Sequence, residues 1–134
     1  MWDMKAAHNV LIVEDNPANI LVATALLDKF HYNYVVAKSG DEALEKFQLF
    51  SFELILMDIQ MPGLDGVTVT RLMRDLEKTN GAVKTPIVAM TANYASKDLG
   101  EWEKAGIEDL IPKPININYL NKILNKYCKK VIAS

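Results

Sequence analysis

Four short apolar runs in this chain each stop at a residue with a charged or reactive side chain. Val10-Leu-Ile-Val13 leads into Glu14-Asp15, Leu54-Ile-Leu-Met57 into Asp58, Pro86-Ile-Val-Ala-Met90 into Thr91, and Leu110-Ile111-Pro112 into Lys113-Pro114. Stretches with helical spacing separate the runs, and strands alternating with helices build a parallel α/β sheet. In such a sheet the C-terminal strand ends share one edge, and ligands bind in the crevice there. The pattern predicts that three carboxylates, one hydroxyl and one lysine meet in one place although they are dispersed over the sequence.

The 134 residues fit a single domain spanning 1–134, with its core over about 9–130. A net charge of −2 argues against a general nucleic-acid binder. The lone Cys128 excludes an internal disulfide framework and a Cys-rich zinc site, and fits a reducing compartment. Met1 to His8 is too short and mixed for a signal peptide. No apolar run approaches the roughly 20 residues that cross a bilayer. The expectation is a cytoplasmic domain without membrane contact, tethered only if its parent protein is membrane-bound.

Strands are predicted at Asn9–Val13, Tyr32–Ala37, Phe52–Met57, Pro86–Met90 and Ile107–Ile111. The third is apolar throughout, as a central strand covered on both faces must be. Helices are predicted from Asn16-Pro17 to Phe30, from Gly40 to Phe50, and over Val67–Glu77, Ala95–Ala105 and Ile117–Lys130. Asn16 is a good cap and Pro17 suits a first turn. Lys78–Thr85 reads as a polar connector, Gly106 as a helix stop, and the residues after Lys130 as a frayed end. The sum is a doubly wound α/β domain, five parallel strands and five helices, with right-handed crossovers.

Glu14, Asp15 and Asp58 would lie side by side at strand ends. Two unit charges about 4 Å apart repel by roughly 4 kcal/mol at an effective dielectric near 20. Three carboxylates therefore need a cation or a raised pKa. With no His or Cys in these motifs, an all-oxygen site suits Mg²⁺ or Mn²⁺. Asp58 ends the most buried strand and is the candidate nucleophile toward phosphorus. Mg²⁺, Lys113 and Thr91 could each satisfy one oxygen of a transferred phosphoryl group. Alone, a Thr at a strand end is a turn residue and a Lys before Pro is a solvated one. Their joint placement carries the argument. A cis Lys113–Pro114 bond would aim the lysine across the site.

The chain resembles the receiver domain of two-component response regulators and hybrid histidine kinases. The resemblance covers Asn9 to Tyr127. It rests on Val13-Glu14-Asp15-Asn16, on Met57-Asp58-Ile-Gln60-Met-Pro-Gly-Leu-Asp-Gly66, on Met90-Thr91-Ala92-Asn93 and on Lys113-Pro114. It implies a flavodoxin-like fold with strand order 2-1-3-4-5. It implies Asp58 as phosphoacceptor, and Glu14, Asp15, Asp58 and the Gln60 backbone carbonyl as Mg²⁺ ligands. Thr91 is the implied switch hydroxyl, Ala92 leaves room for the phosphoryl group, and Lys113 is the family's lysine. The implied activity is acceptance of a phosphoryl group from a partner phosphohistidine, followed by slow self-hydrolysis. The isolated domain is thus expected not to be an enzyme toward other substrates. Many receivers carry Tyr or Phe where Leu110 stands, so an aromatic-swing switch is not expected. Tyr94 reads as a surface aromatic. Asp15-Asn16-Pro17-Ala18-Asn19, Gln60-Met61-Pro62 and Thr91-Ala92-Asn93 are similar to receivers of hybrid sensor kinases and phosphorelays.

The first helix is apolar almost all round. A sheet can take Ile20, Ala23, Thr24 and Leu27, which leaves some of Leu21, Val22, Ala25 and Leu26 for a partner. The expected partner is a histidine kinase or a histidine phosphotransfer domain, the chain being a monomer or weak dimer that binds no nucleic acid. Cys128 and Trp102 read as packing residues, and His8 and His31 lie outside the acidic motifs. Lys122, Lys126, Lys129 and Lys130 read as a solvated face. A phosphatase of the haloacid dehalogenase type would want an Asp where Gln60 stands. A flavodoxin-like cofactor binder would want a phosphate loop where Glu14-Asp15 would repel one. A pseudo-receiver would not need the set Asp58, Thr91 and Lys113.

Overall fold

A computed structural model describes residues 5–92 and 96–128. Its elements, in chain order, are β1 (Ala6–Val13), α1 (Pro17–Lys29), β2 (Tyr34–Ala37), α2 (Gly40–Leu49), β3 (Phe50–Asp58), α3 (Gly66–Asn80), β4 (Ile87–Thr91), α4 (Ser96–Ala105), β5 (Asp109–Pro112) and α5 (Ile117–Tyr127). The strands form one parallel sheet in the order β2-β1-β3-β4-β5.

Alternate residues of each strand feed opposite faces of the sheet, because the side-chain period of a strand is two. Val10, Ile12, Leu54 and Leu56 pack with Ala23 and Leu27 of α1 and with Leu120, Ile123 and Leu124 of α5. Leu11, Val13, Ile55 and Met57 pack on the other face with Ala43 of α2, Val69 and Met73 of α3, and Trp102 of α4. Leu54 to Met57 are all fully buried, which is why β3 reads as apolar without alternation.

Several element ends differ from the sequence reading, and the helix caps give the reason. His31, Gly81 and Gly106 all have positive φ, and each follows a helix. The next N–H in each case reaches back to the helix: Tyr32 to the Leu27 carbonyl, Ala82 to Glu77, and Ile107 to Trp102. These are Schellman caps, whose carbonyl partners lie five residues back. They absorb Tyr32 and Ile107, so β2 begins at Tyr34 and β5 at Asp109 rather than at those residues. They also let α3 run to Asn80 instead of Glu77, since its last turn is polar and exposed. Phe50 belongs to β3 rather than to α2, and β1 starts at Ala6, pairing with Phe50. β3 and β4 include Asp58 and Thr91 themselves. α5 ends at Tyr127 rather than at the expected Lys130, because Cys128 takes up an extended backbone (φ −105°, ψ 137°) as its C-cap; Lys129, Lys130 and the terminus beyond lie outside the described residues. Tyr94 lies outside them too.

Trp102 and Cys128 are buried, as packing residues should be, and burial pushes the Cys128 thiol up to about 12. His8 stacks edge-on against Phe50. On α1, Leu21 is 69% and Val22 44% exposed, and Ala25 is exposed as well. Leu26 is a correction: it is half-buried and packs on the α1/α5 side of the core. Among the described residues no helix is long and apolar enough to cross a membrane.

Candidate metal and phosphoryl centre

The parallel register delivers the predicted side chains to one edge of the sheet. Val13 pairs with Met57, and Asp58 with Met90, so Glu14, Asp58 and Thr91 emerge next to one another at the ends of β1, β3 and β4. Thr91 pairs with Pro112, and the Lys113 N–H donates to the Thr91 carbonyl at 2.9 Å, which brings the lysine to the same corner. The Lys113–Pro114 bond is cis.

Glu14, Asp58 and Thr91 are almost wholly buried, and Asp15 is more open. Glu14, Asp15 and Asp58 each offer a carboxylate oxygen within 4.8 Å of the others. Lys113 Nζ stands 2.9 Å from Glu14 Oε1 and 3.0 Å from Asp58 Oδ1. The Gln60 N–H donates to the same Asp58 Oδ1 at 3.0 Å, so the loop after β3 curls back over the carboxylate. The Asn16 N–H donates to Glu14 Oε2 at 3.2 Å, while the Asn16 side chain caps α1 through the Asn19 N–H. The acid and the helix start are thus locked together.

The electrostatics follow from burial. Desolvation pushes the Glu14 carboxyl above the usual carboxylate range, and neighbouring Asp58 adds to this against the pull of Lys113 and the Asn16 N–H. Burial works against the Lys113 ammonium, but Glu14 and Asp58 outweigh it and hold its pKa above the ordinary lysine value. One ammonium cannot neutralise three carboxylates: Lys113 meets Glu14 Oε1 and Asp58 Oδ1, and among the described residues no cationic side chain pairs with Asp15. An all-oxygen cluster of three carboxylates sharing one ammonium, with Asp15 open to solvent, fits a hard divalent cation.

Of the remaining predicted residues, Ala92 and Pro114 adjoin Thr91 and Lys113 in the chain, while Leu110 joins the core. Ala92 is exposed beside Thr91, and Leu110 is half-buried against the α2, α3 and α4 side of the core. Gly66 starts α3 hard against β3: a Cβ there would overlap the Asp58 carbonyl oxygen. The sequence reading missed that close approach and also a buried pair, Arg74 and Glu77, far from the site. The Asp-Gly step at Asp65-Gly66, where Asp65 caps α3, was the available signal for the first.

The profile of the response regulator receiver domain family matches residues 10–125. The chain belongs to that family. It is 36% identical over 121 residues to the sensor protein GacS of Pseudomonas syringae pv. syringae, covering 90% of this chain and 13% of that protein. Its fold matches a co-crystal structure of the Saccharomyces cerevisiae histidine phosphotransfer protein Ypd1 and the receiver domain of Ssk1. There the TM-score is 0.84 and the identity 33%, over 93% of this chain and 91% of the matched one. It also matches the receiver domain of the sensor histidine kinase PA1611 from Pseudomonas aeruginosa, solved with magnesium in its active-site cleft. That match has TM-score 0.79 and 34% identity, over 91% of this chain and 98% of that one. The receiver therefore spans only about an eighth of the length of a curated relative such as GacS.

Proposed function

We propose that this receiver takes a phosphoryl group onto Asp58 from a phosphohistidine of a partner protein, and either relays it or changes conformation. The observation that carries this is the buried Asp58 carboxylate, held at Oδ1 by Lys113 and the Gln60 N–H among two further acids. An Asp58 oxygen attacks phosphorus, the phosphorus–nitrogen bond breaks, and its electron pair leaves on the imidazole nitrogen. Charge then builds on the phosphoryl oxygens, and stabilising it is most of the catalysis. Lys113 neutralises one oxygen, the Thr91 hydroxyl donates to another, and the small Ala92 leaves space beside them.

Glu14, Asp15, Asp58 and the Gln60 carbonyl would hold Mg²⁺, or Mn²⁺ in its place. When bound, the ion supplies charge neutralisation at the remaining phosphoryl oxygen. The same groups favour slow hydrolysis of the aspartyl phosphate, and no action on another substrate is required of the domain.

The exposed Leu21, Val22 and Ala25 lie on α1, the helix that follows the site end of β1, and supply the apolar contact for a histidine-bearing partner. The magnesium in the PA1611 receiver and the Ypd1 complex of the Ssk1 receiver support both halves of this reading. The test is transfer of radiolabelled phosphate from a phosphorylated histidine phosphotransfer protein to this chain. Label should appear on wild type and not on Asp58→Asn. Label on both, or on neither, overturns the assignment.

A further inference from the structure

The end of the sheet opposite the site holds a buried ionic fork that the proposed chemistry does not use. Arg74 and Glu77 lie one turn apart on α3 with side chains only 13% and 7% exposed. The guanidinium donates to the Glu77 carboxylate at 2.8 Å, to the Thr85 carbonyl at 2.8 Å, and twice to the Gly106 carbonyl, at 2.7 and 3.3 Å. Glu77 accepts in return from the Thr85 N–H at 2.7 Å, and Glu108 stands 3.5 Å from the guanidinium. At Gly106 a Cβ would come within 2.6 Å of Arg74 Nε, so the fork fills the space that glycine leaves.

The two backbone points it grips are not arbitrary. Thr85 leads into β4, which ends at Thr91, and Gly106 leads into β5, which ends one residue before Lys113. β5 is an edge strand with one neighbour and a four-residue ladder. Its position along the strand axis is set by that ladder and by whatever holds its ends. Glu14, Asp15 and Asp58 depend on β1 and β3, and the fork's hydrogen bonds and ion pairs go to neither strand.

We propose that Arg74 and Glu77 are positioning residues: they fix β4 and β5 lengthwise and so place Thr91 and Lys113 against the acidic cluster. The proposal rests on the phosphoacceptor reading above for its consequence, but not for its geometry. A shift of about 1 Å in a catalytic group can cost on the order of 100-fold in rate.

The variants are Arg74→Lys, which keeps the charge but loses the fork, and Arg74→Met/Glu77→Met, which removes both charges and leaves none buried alone. The probes are acetyl phosphate with saturating Mg²⁺, read by intact mass, and Mn²⁺ binding, read by electron paramagnetic resonance. Both variants should bind Mn²⁺ like wild type and be phosphorylated about tenfold or more slowly. Amide NMR without donor should display shifts at Thr91 and Lys113 in Arg74→Lys, with Glu14 and Asp15 unmoved. Wild-type rates in either folded variant, parallel loss of Mn²⁺ binding, or shifts confined to the neighbourhood of Arg74 would overturn the proposal. If wild type itself accepts no phosphate, the phosphoacceptor reading fails, and the NMR comparison still decides the fork's role.

Discussion

Lys113 Nζ lies 3.0 Å from Asp58 Oδ1 and 2.9 Å from Glu14 Oε1, so one ammonium arriving from the loop after β5 bridges the ends of β1 and β3. A divalent cation held by Glu14, Asp15 and Asp58, as proposed, would serve a need that overlaps with the lysine's at the same carboxylates. The ammonium offsets part of the repulsion between these buried acids.

Removing the lysine should make that overlap measurable. Lys113→Ala leaves two buried acids without their counter-ion, and stability should fall by about 1–3 kcal/mol, less than for a fully buried pair because the ammonium is partly exposed. Added Mg²⁺ should then raise the melting temperature more in the variant than in wild type. Equal rises, measured by calorimetry, would mean that the ion does not take over the role of the ammonium.

The α1 surface should separate partner docking from chemistry. Val22→Glu places a charge in the exposed apolar patch without entering the core. Transfer from a phosphohistidine protein should slow by about tenfold, a loss typical of a moderate interface contact. Uptake from acetyl phosphate should be unchanged, and equal loss of both would sink the assignment. Leu26→Glu is the poorer test, because Leu26 packs on the core.

Gly66 should tolerate no side chain. Its Cβ would collide with the Asp58 carbonyl oxygen and the Ile59 Cα, neither of which is a flexible group. Gly66→Ala should cost about 1–3 kcal/mol in urea unfolding and also slow phosphoryl uptake. A stable, fully active Gly66→Ala would mean that α3 does not press on β3 here.

Asp109 should contribute to acid stability. Burial alone would raise its pKa, but Lys126 at 3.1 Å, the Leu110 N–H and the Tyr127 hydroxyl outweigh burial and hold it below 3.8. A carboxyl depressed in the folded state adds stability above its unfolded pKa and loses it as pH falls through the folded one. Wild type should therefore exceed Asp109→Asn in stability at neutral pH, with the gap closing only in acid below 3.8. Urea titrations at descending pH give the measurement, and a gap independent of pH would contradict the assignment.

The sheet and its active edge were legible because the strands are buried on both faces and stop at their chemistry. Leu54 to Met57 signal a central strand, and Asp58 follows immediately. The caps were less legible: His31 occupies a left-handed position that sequence assigns to glycine, so the start of β2 was misplaced. The Arg74–Glu77 fork was invisible for a different reason. Two opposite charges one helical turn apart usually form a solvated surface pair. Only the tertiary placement of the Thr85 and Gly106 carbonyls makes them a buried clamp.

The most direct test of the central claim is intact mass after incubation with acetyl phosphate, with and without Mg²⁺, on wild type and Asp58→Asn. The account predicts one added phosphoryl group on wild type only, and only with Mg²⁺. Addition to Asp58→Asn, or none to folded, metal-loaded wild type, would contradict it.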